Sequence, residues 1–312
     1  MDFKLPFHIG ESPVKVKHKD KIILIGSCFS DEISFKLSLN GFQNFANPFG
    51  TLFHPLSIAN SLNSSLSRTK EVNVIKSNDV FHAWDCAGVI HGYSENELRE
   101  KVYEKRSETL KQIKDAKFLV VTFGTAWSYK HLELDIVVGN CHKEKQSSFR
   151  KQLNSMDEML AVWIVLIERI KAINNDINIV FTVSPVRHKK DGLIENNRSK
   201  SRLIELVHKL TEFDGTAYFP SYEILIDELR DYRYYNEDMV HPSSQAVDYV
   251  WEQFERTYCD DSTKNLSRRV KQIKTSLAHK SLYPNSESNR KMLLKMEQSK
   301  EEILQEFPYL NF

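Results

Sequence analysis

Three runs constrain this chain most: KIILIGS (21–27), KFLVVTFGT (117–125) and INIVFTVSPV (177–186). Each is continuously apolar, rich in β-branched residues, and ends at a glycine or a proline. A strand with one wet face alternates apolar and polar residues. A strand covered on both faces does not, and parallel sheets are covered on both faces. Amphipathic helical stretches separate the runs: 31–41, 55–66, 94–115, 155–174, 195–213, 221–231 and 243–258. Ser94, three residues before Glu97, forms a capping-box pattern, and Ser155 stands where a helix cap belongs. Strand and helix in repeated alternation predict an α/β fold of three layers, α/β/α, around a mostly parallel sheet.

Further strands are expected within 42–55, running there into a Pro/Gly loop, and at 216–220. Hairpins or long loops are expected over 71–93 and 128–141. After about residue 260 no strand pattern remains, and two basic helical stretches flank YPNSES (283–288). The expected organisation is therefore one α/β domain over 1–259 and a helical carboxyl-terminal extension over 260–312. The 312 residues, 41% hydrophobic and 27% charged, are enough for a sizeable core. Lys and Arg total 43 against 42 Asp and Glu, so bulk charge gives no reason to expect a nucleic-acid partner. SRRVKQIK (267–274) reads as a solvated helix face, with an oligomer contact through this arm as its other expected role. The amino-terminal stretch MDFKLPFHIGESPVKVKHKD lacks the regions of a signal peptide, and no run approaches a membrane span. Cys28, Cys86, Cys141 and Cys259 are scattered without metal-ligand spacing, so reduced thiols and a cytoplasmic location are expected. No metal and no cofactor are called for.

In parallel sheets ligands bind at the carboxyl ends of the strands. The loops GSCFS (26–30), FGTAW (123–127) and SPVRHKKDG (184–192) fall there, and DMVHP (238–242) precedes the last helix of the α/β unit. Ser27 lies where a strand gives way to a helix whose first N–H groups face outward. A serine hydroxyl needs a base to become a nucleophile, and the imidazole of His241 is the side chain suited to that role. Asp238, three residues earlier, would orient the ring. The plainer reading of Ser27 is a helix cap, and that of His-Pro a helix boundary. Cys28 is the rival nucleophile, but adjacent residues on one turn point apart, and Ser27 is favoured.

The stretch GSCFSDEI resembles the signature of the GSCFA family, a branch similar to the SGNH/GDSL hydrolase superfamily. NPFGTLFHP (47–55), VTFGTAWSY (121–129), GNCHK (139–143), TVSPVRHKKDGLIENNRSKS (182–201) and YFPSYEILIDELRDYRYYNEDMVHPS (218–243) extend the resemblance over about residues 20–250. It implies a catalytic triad of Ser27, Asp238 and His241. The superfamily's Gly-Asp-Ser is reduced here to Gly26-Ser27. Its second-block glycine corresponds to Gly50, an oxyanion donor. Its Gly-x-Asn-Asp block falls on Gly124-Thr125-Ala126-Trp127, so Ala126 stands where an asparagine would donate to the oxyanion. Losing one such donor costs about 2.7–4 kcal/mol in the transition state. Thr125, Asn47 or a backbone N–H, including that of Gly124, would have to substitute.

Other candidates have bland alternatives. Asn47, His82, Asp85, His91, Arg187 and His188 are expected to line a substrate pocket. His82, Asp85 and His91 read more plainly as an exposed polar hairpin, with metal binding as a further alternative, and Arg187 and His188 read equally as a solvated basic loop. Asn196, Asn197 and Arg198 read as helix caps, and Cys141-His142 makes no site by itself. The expected activity is hydrolysis of a small or carbohydrate-linked ester. Acyl transfer through the same acyl-enzyme, or glycan binding without catalysis, are the alternatives.

Overall fold

A computed structural model describes residues 7–310 and 312. The first six residues of the amino-terminal stretch read above lie outside the described residues. The central sheet has five strands: β1 (Lys21–Gly26), β2 (Gln43–Ala46), β6 (Ala116–Phe123), β10 (Asn178–Val183) and β11 (Thr216–Tyr218). Their order is β2-β1-β6-β10-β11, and every pairing is parallel. This is the sheet the three apolar runs predict. Two three-stranded antiparallel sheets are added. One joins β3 (Val74–Ser77), β4 (Val80–Ala83) and β5 (His91–Gly92), and the other places β7 (Trp127–His131) between β8 (Ile136–Val137) and β9 (Phe149–Leu153).

Strand alternation sorts the core into two layers. Ile23, Ile25, Leu119, Val121, Ile179 and Phe181 face one helical layer: α2 (Pro55–Leu66), α3 (Glu95–Asp115), α4 (Met156–Ile173) and α5 (Gly192–Leu210). Ile22, Leu24, Phe118, Val120 and Val180 face the other, built from α1 (Cys28–Leu39) and α7 (Ser244–Tyr258). Because both faces are covered, the central strands β1, β6 and β10 are apolar at nearly every position, whereas the edge strands β2 (QNFA) and β11 (TAY) keep polar residues. Trp163 of α4 and Trp251 of α7 are the largest fully buried side chains of the two layers. Truncating such a residue to alanine costs about 3–5 kcal/mol.

Some local expectations are corrected. The first helix begins at Cys28 rather than Asp31, because Ser27 itself caps it by accepting from Phe29 N. Helix α5 begins at Gly192, so Asn196, Asn197 and Arg198 lie within it and are not its caps. The helix expected over 221–231 is a short α turn, α6 (Ser221–Glu223), followed by a π turn over Ile224–Leu229 that Arg230 ends in a left-handed conformation. Strand β9 was not expected, because FRKQL carries too much charge to read as strand; it pairs with β7 from Trp127↔Leu153 to His131↔Phe149.

Helices α8 (Asp261–Ala278) and α9 (Glu287–Glu306) form the carboxyl-terminal arm, with Val270, Ile273 and Ile303 in their own small core. The arm also meets the α/β unit. Ser267 Oγ lies 3.3 Å from His18 Nε2, Lys274 donates to Ser38 O, and the Tyr309 carbonyl accepts from Gln43 of the outermost strand β2. Among the described residues no helix is long and apolar enough to cross a membrane.

Candidate active site

The site is best built outward from Gly26, the last residue of β1. Its φ is +140°, and a Cβ there would sit 2.1 Å from the Thr122 carbonyl oxygen on β6. Only glycine lets β1 and β6 approach this closely while the chain turns into α1. Ser27 follows, 1% exposed, and its N–H donates to Thr122 O at 3.1 Å. Its Oγ accepts from Phe29 N at 3.3 Å, a helix-cap bond. The hydroxyl therefore stands at the amino end of α1, where the helix dipole favours negative charge.

Asn47 braces this junction. Its Oδ1 accepts from Gly26 N at 2.8 Å, and its amide donates to Asp31 Oδ1 at 2.7 Å. Asn47 holds φ at +41° and opens a turn closed by Gly50 N donating to Asn47 O at 2.8 Å. Leu52 N then donates to Gly26 O. Phe53 O next accepts from both Gly124 N, at 2.8 Å, and Thr125 N, at 3.1 Å. The three N–H groups expected as oxyanion donors, those of Gly50, Gly124 and Thr125, are thus all paired with backbone carbonyls in this arrangement. The Thr125 hydroxyl is buried, accepts from Trp127 N and lies 3.1 Å from Ser199 Oγ. Ala126 N donates to that same Ser199 oxygen.

Beneath these strand ends lies a residue the sequence reading missed. Lys200 of α5 is 2% exposed, and its Nζ donates to Gly124 O at 2.7 Å and Ser184 O at 2.6 Å. It thereby ties the end of β6 to the end of β10. Burial pulls its ammonium down to about 7, with the nearby Cys28 weakly opposing that pull. A signal was present in the sequence. Lys200 stands three residues before Leu203, on the helical stripe that continues through Leu206, Val207 and Leu210. Burial and the neighbouring Asp31 raise the Cys28 thiol, which keeps it protonated and weakens it as a nucleophile.

Asp238 and His241 form a compact hairpin unit. Asp238 Oδ1 accepts from the N–H groups of Val240 and His241, and Oδ2 lies 2.6 Å from His241 Nδ1. The bond to the imidazole, then those to the backbone, holds the Asp238 carboxyl down to about 2. The unit is docked on the strand ends by Arg187 N, which donates to Val240 O at 3.2 Å. Arg187 follows β10, which is two strands from β1, about 9–10 Å across the sheet. Among the described residues, Ser27 Oγ and His241 share no hydrogen bond. The Arg187 guanidinium lies against Tyr235 and Tyr232, 4.3 and 5.0 Å from their ring centroids. His188 packs edge-on to Phe53, and burial, then Lys200, push its pKa down. With Thr125, Trp127 and Cys141 it lines a cavity of about 230 Å³.

The remaining candidates are engaged in contacts of their own. Asp85 makes a 2.7 Å ion pair with Arg106, which is 3% exposed and also donates to Thr69 O and Glu71 O. His82 and His91 are cross-strand partners in the small sheet, with His142 stacked on His82 at 4.6 Å. No group of three or more His, Cys, Asp or Glu among the described residues is arranged to hold a metal ion. Asn196 Oδ1 accepts from His188 N and so fixes the loop after β10.

Comparison with solved structures finds similarity to a carbohydrate esterase family 3 protein from Talaromyces cellulolyticus. That match has 7% identity, 81% of this chain and 99% of the other covered, and a TM-score of 0.36. The chain is also similar to an acetyl xylan esterase from Butyrivibrio proteoclasticus, at 7% identity, 81% and 65% coverage and a TM-score of 0.42. A third likeness is to a family two carbohydrate esterase from Clostridium thermocellum, at 10% identity, 82% and 66% coverage and a TM-score of 0.38. No curated protein matches the sequence. The family model for GSCFA matches residues 21–254, which hold every strand of the central sheet, the serine junction and the Asp-x-x-His hairpin. The chain belongs to the GSCFA family.

Proposed function

We propose that this chain is a serine ester hydrolase in which Ser27 is the nucleophile, His241 the general base and Asp238 its orienting partner. The observation that carries the reading is the Asp238–His241 contact of 2.6 Å, on a loop docked at the sheet edge where β1 delivers Ser27. With Asp238 ionised, His241 Nδ1 carries the proton and donates it to the carboxylate. Nε2 is then left with the lone pair a general base needs. Ser27 Oγ attacks the ester carbonyl as its proton passes to Nε2. That proton leaves with the alcohol, and water activated by His241 clears the acyl-enzyme. The negative charge that develops on the carbonyl oxygen lies at the amino end of α1. Ser27 is nearly fully buried and unbonded to His241. Productive geometry therefore calls for a closer approach of the 236–242 loop, as catalytic hydrogen bonds often tighten only with substrate. The substrate class is a small or carbohydrate-linked ester, and transfer to a sugar hydroxyl would use the same acyl-enzyme.

A second reading has one observation in its favour. The paired N–H groups at Gly50, Gly124 and Thr125, with Ala126 in the donor position, suit a module that binds a glycan without turning it over. One experiment divides the two. Wild type, Ser27→Ala and His241→Ala are incubated with a fluorophosphonate probe and with 4-nitrophenyl acetate. Labelling and turnover confined to protein with Ser27, and reduced at least about a thousandfold without His241, support the hydrolase. Labelling that persists in Ser27→Ala, or no labelling at all, rejects it.

A further inference from the structure

A second cavity, of about 380 Å³, opens between α5 and the α6–π turn segment, with Arg187, Lys200, Asn197, Tyr222, Ile204 and Ile226 in its wall. Two cations contribute to this wall and no carboxylate does. Among the described residues neither cation has a carboxylate partner. The carboxylates of the flanking segments are engaged elsewhere: Asp191 with Lys151, Glu195 with Arg198, Glu223 with the Tyr218 hydroxyl, Asp227 with Arg230 and Asp231 with Arg233. Arg187 rests against two neighbouring tyrosine rings, Tyr235 and Tyr232, and these contacts help orient its guanidinium before any ligand arrives. Lys200 is almost wholly buried, with two carbonyl oxygens for company. The half-buried Arg187 guanidinium has no counter-charge of its own, and an arriving anion supplies one. The rest of the wall combines aromatic and aliphatic side chains with the polar Asn196, Asn197 and Ser201, which suits an anion carried on a chain or a ring.

We infer that this cavity is a subsite for a carboxylate borne by the ester substrate, with Arg187 as its primary contact. Two features favour a carboxylate over a more highly charged group. A planar guanidinium matches a carboxylate in a two-point fork. Burial also draws Lys200 toward neutrality, leaving Arg187 as the one full positive charge near pH 7. The subsite adjoins the proposed catalytic loop, because the Arg187 backbone is what holds Val240. The inference rests on the hydrolase reading for the word substrate, but not for binding.

The test is calorimetric titration of the full chain carrying Ser27→Ala, which removes turnover. Monomethyl adipate is compared with dimethyl adipate, placing the carboxylate on the acyl side. An acetylated methyl glucuronoside is compared with the acetylated methyl glucoside, placing it on the alcohol side. The expected result is at least tenfold tighter binding of the charged member in one arm, which then identifies the side. That preference should weaken with added salt and vanish in Arg187→Gln while the neutral ligand is unaffected. Equal affinity within both pairs, no measurable binding, or a preference that survives Arg187→Gln overturns the inference. So does competition by inorganic phosphate as strong as that by adipate. Should Arg187→Gln fail to fold, the charged-against-neutral comparison in the parent protein decides. Charge-selective binding without fluorophosphonate labelling of Ser27 in the unsubstituted chain would reject the hydrolase and keep the subsite.

Discussion

Replacing Gly26 by alanine is the most demanding test of how the nucleophile is held. The methyl group would sit 2.1 Å from Thr122 O and 2.8 Å from Thr122 C, both backbone atoms of β6 that no rotamer change can move. It would also have to adopt a φ of +140°. Backbone strain of this kind costs about 1–3 kcal/mol. Forcing two central strands apart adds an overpacking cost of about 1–3 kcal/mol. The sum, about 2–6 kcal/mol, is a large share of the roughly 5–15 kcal/mol that stabilises a typical domain. Relief requires β1 to slide against β6, which breaks the Ser27 N to Thr122 O bond and turns the hydroxyl away. Gly88→Ala is the control, since a Cβ there meets nothing within 4 Å. Urea unfolding followed by circular dichroism should show Gly26→Ala destabilised by about 2 kcal/mol or more, and Gly88→Ala within about 0.5 kcal/mol of wild type. If the Gly26 variant unfolds within about 0.5 kcal/mol of the control, the close approach of the two strands is not what fixes this junction.

Other consequences can be measured directly. Arg106→Met leaves Asp85 without its partner and frees the Thr69 and Glu71 carbonyls; urea unfolding should register a loss of about 3–5 kcal/mol. His54 is fully buried, and burial pushes its pKa down to about 4 from an ordinary 6.5. Between those values the unfolded chain binds the proton that the folded chain refuses. Its contribution is therefore complete above pH 6.5 and falls as pH drops, by about 3 kcal/mol in all at about 1.36 kcal/mol per unit. His54→Gln should flatten that stretch of the stability profile, and an unchanged slope would remove His54 as its cause. Asp238→Asn keeps the hairpin's shape but reverses the tautomer preference of His241. Ester turnover should fall about a thousandfold or more while unfolding is little altered, and comparable turnover would take Asp238 out of the mechanism.

The parallel sheet was legible because its central strands carry few polar positions, as in KIILIG and KFLVVTF. Helix starts with a serine cap were equally plain at Ser94 and Ser155, where the cap oxygens accept from Glu97 N and Glu158 N. Strand β9 was not legible, since Arg150 and Lys151 face solvent and leave too few apolar positions to set a period. The π turn at 224–229 was hidden as well, because its sequence, ILIDEL, is ordinary helix-forming material and only tertiary packing widens it. At the site, residue types pointed to Ser27, Asp238 and His241, but the pairing of backbone N–H groups cannot be read from types. Lys200 escaped because a lysine on a helix is read as a solvated face unless its phase is checked against the leucines that follow.

The placement of the arm has a bearing on how the chain is made. Strand β2 has an open side, and a parallel sheet left open invites a neighbour's backbone to add to it. The segment around Tyr309 and Leu310 stands beside that side, yet it is translated some 260 residues later. During synthesis the rim therefore stays bare until the closing helical hairpin emerges. A chain cut between α8 and α9 would keep every strand and covering helix of the α/β unit yet leave this rim of β2 without the segment that stands beside it.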